Sequence, residues 1–356
     1  MKKKVGIVIG IKADAGYHEF WAKYPHIIGN IPDEHWQTSS SGIDSDWKLG
    51  HDAIVLSCLQ YIKQDKFEFV PIWGPAMTLR KLNECEYIYS FYETGWWWSD
   101  HPLRVRHYES MMKKTTAMVI PSFEFQDAII RKHKYMDLMV ENNIPMIPTY
   151  NIDLMKFKRN KKKVVTELLD HVKEQEYDKI LIKPEFEGFG NGIKTFTNFK
   201  EDTLIKFFEG YLKLHLEGAL VQPYIESFSR NREYRTFWLN GKFRDGIAQY
   251  FYDAKGNRTF NYIKKDKLDK TILTRCKTFG KKIIKIIEKE YGMVPPFIRL
   301  DFGCCLDKKY FLNEIEFVPT LHLPNTNIRF VFDIADAIYK SLLTTGKRKK
   351  KLTLKK

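Results

Sequence analysis

Apolar and polar positions change period several times along the chain, and each change predicts an element. Val5 to Ile9 is a short unbroken apolar run of the kind buried in a parallel sheet. A helix after Asp46 runs through Ile54, Leu56 and Tyr61, and 67–72 and 87–91 read as further strands. That alternation predicts an α/β layer over 1–120. Within it, 24–47 has no clear period and reads as a loop over a site.

From Pro121 the rhythm shifts. One helix is expected over 126–140, then a turn at Asn142–Pro145, an extended Ile147-Pro148-Thr149, a helix over 162–173 and a strand over 179–183. A glycine-rich turn, 185–193, leads into a strand-like 193–196. A helix over 202–216 and a strand over 219–222 follow, then strands over 234–239 and 242–250 about an Asn240-Gly241 turn. A helix over 272–289 precedes a last pair of strands. The fold class expected is α/β with α+β subdomains, divided at 1–120, 121–225, 226–345 and a basic tail at 346–356.

With 356 residues, 44% of them hydrophobic and 15% aromatic, the chain has apolar surface enough for two or three packed subdomains. No apolar run reaches the roughly 18 residues that span a bilayer, and the N-terminal residues read as a strand without a cleavage site. No membrane partner is expected. Net charge is +15, but three charges sit at Lys2–Lys4 and seven within 347–356, leaving about +5 for the body. Nucleic acid, or nuclear placement, is therefore expected only through that tail, whose plain reading is a solvated segment. Lys161–Lys163 reads as a solvated loop. Five cysteines without a CxxC pair, and ten histidines without HExxH, point to a reducing cytoplasmic compartment and away from zinc.

Chemistry concentrates near the C-terminal strands. Read as an antiparallel hairpin about Asp307-Lys308, 297–303 and 310–317 set Asp301 opposite Glu314 and Arg299 opposite Glu316, all on one face. The other face carries Ile298, Leu300, Phe302, Ile315 and Phe317, which must be buried. Three crowded carboxylates repel one another, and one arginine cannot neutralise them, so the face calls for a cation. Oxygen ligands on a rigid sheet suit Mg²⁺; the plain alternative is a salt-bridged surface. Lys183, just before the glycine turn, suggests a phosphate cradle in which backbone N–H groups and one point charge meet an anion. The turn lacks a Walker ending and no helix follows it. Trp96-Trp97-Trp98 reads as packing between subdomains or as a pocket wall.

Seven pieces stand in a recognisable order: Lys134, Ile147–Thr149, Ile182-Lys183-Pro184 with its glycine loop to Gly192, Val221–Ile225, Arg232–Arg235, Arg299–Phe302 and Asn313–Glu316. Over 121–327 the chain resembles the ATP-grasp superfamily, nearest its D-alanine–D-alanine ligase, glutathione synthetase and ribosomal-protein glutamate ligase branches. The layer before it looks like the Rossmann-like domain that precedes that fold.

The resemblance implies ATP and one or two Mg²⁺ ions, with Mn²⁺ as substitute. It implies phosphate contacts from Lys134 and Lys183 under a loop carrying Gly188, Gly190 and Gly192, and an adenine hinge at Gln222, Tyr224 and Ile225. It implies Glu233 on the ribose, with Glu226 second, and Asp301, Glu314 and Glu316 on the metal. Arg299 would stabilise charge developing on the substrate, and Arg235 or Arg244 would face the phosphates. The chain departs from the family at Gln222, at Glu316 and at Phe317–Thr320, so D-alanine is not implied as substrate.

The activity implied is ATP-dependent joining of a small carboxylate to an amine, with a peptide or protein terminus among the candidate acceptors. The alternatives are a kinase acting on a hydroxyl and a non-catalytic nucleotide-binding scaffold. A homodimer is compatible with all three.

Overall fold

The computed structural model describes residues 2–10, 26, 36–38, 47–49, 51–91, 102–186, 192–226, 232–249, 262–304, 310–318 and 329–353. Its first layer follows from unbroken apolar runs too short for helices. It comprises β1 (Lys3–Ile9), β2 (Trp36–Thr38), β3 (Trp47–Leu49), α1 (His51–Ile62), β4 (Phe67–Trp73), α2 (Leu79–Asn83), β5 (Tyr87–Ser90), α3 (Pro102–Lys114) and β6 (Met118–Ile120). Four strands form a parallel sheet in the order β4-β1-β5-β6, while β2 and β3 pair separately. The expected loop over 24–47 therefore contains β2 and ends where β3 begins. The strand order reverses between β1 and β5, the kind of switch point at which open α/β sheets bind ligands.

The helix expected over 126–140 is two helices, α4 (Phe123–Ile130) and α5 (Lys132–Glu141). Arg131 breaks them apart at φ −85°, ψ 80°. Its guanidinium is held by Glu109 at 2.9 Å, by Asp127, and by Glu217 at 3.2 Å. These partners lie on three different segments, so a local helical period could not reveal the break.

A second, antiparallel sheet, order β7-β10-β8-β9, comes from β7 (Tyr150–Asp153), β8 (Ile180–Pro184), β9 (Lys194–Phe196) and β10 (Gly218–Pro223). It is backed by α6 (Leu154–Arg159), α7 (Lys161–Glu174) and α8 (Glu201–Lys213), whose apolar faces make a core of their own. Lys161–Lys163 open α7 rather than a loop, capped by the Asn160 side chain.

The third sheet, order β13-β12-β11-β14-β15, is built from β11 (Glu233–Leu239), β12 (Lys242–Gln249), β13 (Tyr262–Lys264), β14 (Phe297–Cys304) and β15 (Tyr310–Glu316). Helix α9 (Lys270–Tyr291) packs closely on it, with Gly280 against Trp238. Ile298, Leu300, Phe302, Ile315 and Phe317 are buried, as the alternation requires.

Helix α10 (Phe330–Thr353) extends through most of the segment expected as a tail. It fastens the third sheet to the first layer. Phe330 packs on Phe237 and Phe297, while Tyr339 meets Phe67 and donates to Asp65 Oδ1 at 2.6 Å. Trp96–Trp98, the Gly188–Gly190 turn with Phe189, and Cys305 lie outside the described residues. Phe186, just before that turn, is buried under the Arg131 guanidinium and serves as an anchor.

Candidate metal and phosphate site

Pairing in the C-terminal hairpin sets the geometry. Arg299 pairs with Glu316, Leu300 with Ile315 and Asp301 with Glu314, after which the register slips so that Phe302 faces Leu312. The slip leaves Asn313 as an extra residue in β15, a bulge that re-aims side chains. Asn313 consequently reaches across β14 and donates from Nδ2 to Glu233 Oε1 at 2.8 Å on β11. Simple alternation would have sent it to the opposite face.

Asp301, Glu314 and Glu316 each offer a carboxylate oxygen, and these oxygens lie within 4.8 Å of one another. An all-oxygen set on two paired strands fits a hard divalent cation such as Mg²⁺.

Cations surround this set. Arg299, only 3% exposed, donates from Nε to Asp301 Oδ1 at 2.8 Å and from Nη2 to Asp301 Oδ2 at 2.7 Å, with Glu316 Oε1 2.8 Å from the same Nη2. Burial works against its charge, but Asp301 and Glu316 outweigh that and raise its pKa further. Arg235 Nε lies 2.9 Å from Glu233 Oε2 and 3.7 Å from Asp301 Oδ2. Burial raises the pKa of Glu233, with Asp301 adding to the rise and Arg235 opposing it.

Lys132, the first residue of α5, places Nζ 2.6 Å from Glu314 Oε1. Burial disfavours the Glu314 carboxylate, yet Lys132 more than offsets it and holds the group at about 2. Lys183 is pushed down to about 8, first by burial and then by the Lys132 charge. Glu314 and Glu233 pull the other way, which puts Lys183 in the same electrostatic field as the acids.

Not every expected residue reaches this cluster. Lys134 instead pairs with Asp127 at the exposed side of α5, and it is Lys132 that reaches Glu314. Within the run Arg131-Lys132-His133-Lys134 it is Lys132 that faces Glu314, because the helix restarts at Lys132 and is not continuous over 126–140. Arg244 is directed to Asp333, 2.6 Å away, outside the cluster. Glu226 is exposed at the end of the hinge.

In the segment expected as the adenine hinge, Gln222 is buried and donates from Nε2 to Thr149 Oγ1 at 2.7 Å, joining the Ile147–Thr149 segment to the end of β10. Tyr224 N donates to Lys179 O at 2.8 Å, and Ile225 is half-buried beside it. Gly192 closes the glycine turn at φ +71°, where a Cβ would stand 2.7 Å from Pro184 Cγ, so only glycine fits.

No protein-family model matches the sequence, and no curated protein matches it. Solved structures do. A D-cycloserine synthetase superposes with a TM-score of 0.64 at 13% identity, covering 95% of this chain and 99% of that one. The D-alanine–D-alanine ligase of Bacillus anthracis, complexed with ATP, gives 0.59 at 12% over 98% and 99%. The N5-carboxyaminoimidazole synthetase of Staphylococcus aureus, complexed with ADP, gives 0.56 at 12% over 96% and 78%. These neighbours are all ATP-grasp enzymes. With nearly the whole of this chain covered in each superposition, the chain has the ATP-grasp fold.

Proposed function

We propose that the protein is an ATP-dependent ligase that activates a small-molecule carboxylate as an acyl phosphate and joins it to an amine, releasing ADP and phosphate. The observation that carries this reading is the convergence of Asp301, Glu314 and Glu316 within 4.8 Å, beside Arg299, Lys132 and Lys183. Two solved neighbours hold ATP or ADP, which supports nucleotide use here.

In this reading Asp301, Glu314 and Glu316 hold one or two Mg²⁺ ions, which supply charge neutralisation for the phosphates. Four carboxylates, counting Glu233, already face four cations in Arg299, Arg235, Lys132 and Lys183. Such a balanced site favours a triphosphate together with its divalent ions over either alone. Lys132 and Lys183 turn from carboxylate to phosphate oxygens. Water has to be kept from this site, because it would hydrolyse the acyl phosphate.

Gln222, Tyr224 and Ile225 take the adenine edge, and Glu233, oriented by Asn313, takes the ribose. Arg299 offers a rigid fork to charge developing between the substrate carboxylate and the transferred phosphoryl group. The carboxylate donor enters from the first layer. There Asp52, fully buried, accepts from Gly10 N at 2.8 Å and from Ala53 N at 2.8 Å, and so fixes the chain leaving β1.

The test is ADP release with Mg-ATP across amino acids, dipeptides and polyamines, repeated with hydroxylamine. A substrate-dependent hydroxamate supports the ligase. A stable phosphorylated product with no hydroxamate would make it a kinase, and ATP binding without any substrate-dependent ADP release would make it a scaffold.

A further inference from the structure

A cavity of about 740 Å³ opens past the C-terminal end of β8, where α3 and the start of α5 meet the second sheet. None of the residues assigned above to metal or phosphate lines it. Its volume lies within the range typical of small-molecule sites, about 300–1,000 Å³.

Arg106 reaches it from α3, Lys158 from the last turn of α6 and Lys213 from the last turn of α8. Among the described residues none of these three makes an ion pair or a side-chain hydrogen bond. The acids that share the cavity are committed elsewhere. Asp153 caps α6, accepting from Met155 N at 2.8 Å and Lys156 N at 2.9 Å. Glu217 answers Arg131 at 3.2 Å, and Glu185, buried, pairs with His133. Three cations on three elements thus face one concave surface whose own carboxylates are spoken for, an arrangement that attracts anions.

We propose that this cavity binds a compact multivalent anion, an oligophosphate or a di- or tricarboxylate, bridging Arg106 on the first layer to Lys158 and Lys213 on the second-sheet unit. A single charge would answer only one of the three cations, whereas two or three fixed charges span them. Because the cations come from both sides of the boundary between the first layer and the second sheet, an occupant ties the two together. Glu185, which lines the cavity, stands two residues beyond Lys183. The proposal stands independently of the ligase reading.

Calorimetric titration of the metal-free protein with inorganic pyrophosphate, and separately with citrate, tests it. Three proteins are compared: the natural chain, Arg106→Ser/Lys158→Ser/Lys213→Ser, and Lys132→Met/Lys183→Met, which disables the phosphate cradle instead. Saturable binding of at least one probe is expected in the first and third, weakened about tenfold or more in the triple variant. Pyrophosphate alone identifies an oligophosphate site, and citrate alone a polycarboxylate site. The proposal is overturned if neither probe binds at millimolar concentration, if the triple variant binds as tightly as the natural chain, or if only Lys132→Met/Lys183→Met loses binding. Arg106, Lys158 and Lys213 are all exposed. The single variants Lys158→Ser and Lys213→Ser, each expected to weaken binding about two- to fivefold, replace the triple variant should it melt early.

Discussion

Lys132 Nζ stands 2.6 Å from Glu314 Oε1, an ammonium and a carboxylate that meet because α5 starts afresh at Lys132. The segment after α5 runs alongside the hairpin, with Leu312 N donating to Pro145 O at 2.9 Å, and this fixes the helix against β15. Lys132 is thereby the α5 cation that faces Glu314, while Lys134, two residues on, faces solvent.

Lys132→Met should lower kcat/KM for ATP about 100-fold, by removing a positioned cation from the phosphates. Lys134→Met should change it less than about threefold, because its exposed pair with Asp127 contributes little. Steady-state ADP release with the two variants decides between the lysines; equal losses would remove Lys132 from the site.

Arg299→Ala should lower turnover by about 10²- to 10³-fold. Since it also leaves Asp301, 1% exposed, without its bidentate partner, urea unfolding should show a loss of about 3–5 kcal/mol. Mg²⁺ should recover part of that loss by taking the place of the guanidinium. Arg299→Lys should restore little turnover, because a point charge cannot reproduce the two-pronged contact.

Lys183 gives a pH dependence whose sign can be worked out. Its folded pKa is about 8 against an ordinary 10.5. Below about 8 the lysine is protonated in both states and the folded chain bears the full cost of burying the charge. Between 8 and 10.5 the unfolded chain holds a proton that the folded chain has released, so this group makes stability rise with pH across that window. Urea unfolding at several pH values should show the rise in the natural chain and not in Lys183→Met. In the same range ATP affinity should fall as the cation is lost, a decline that Lys183→Arg abolishes.

Two helical glycines should respond oppositely to alanine. Gly210 in α8 has open space around a new Cβ, so Gly210→Ala should stabilise by about 0.5–1 kcal/mol. At Gly280 a Cβ would lie 2.1 Å from Trp238 Cζ2, and Gly280→Ala should destabilise by about 1–3 kcal/mol despite its better helix propensity. Thermal midpoints of the two variants should move in opposite directions.

How much of this was legible in the sequence depended on whether the cause was local. The pairing of Asp301 with Glu314 and of Arg299 with Glu316 could be read from alternation about one turn, because a two-residue period fixes which side chains share a face. The bulge at Asn313 could not, since it shows only as an interruption in the pairing with β14. The break at Arg131 was equally hidden, its partners Glu109 and Glu217 lying 22 and 86 residues away. Helix α10 is hidden in the sequence because its lysine run reads as solvated, although the apolar stripe from Phe330 to Leu342 anchors the helix that carries it. Strands β2 and β3, three residues each, are too short to show a period.

Electron paramagnetic resonance of Mn²⁺ titrated against the protein, with and without ATP, reports whether Asp301, Glu314 and Glu316 hold a divalent ion for a bound nucleotide. With ATP present, the protein should lower the free-ion signal with saturable stoichiometry beyond what ATP alone removes, and Asp301→Asn or Glu314→Gln should weaken this uptake about tenfold or more. Uptake unchanged in both variants would contradict that role for the three acids.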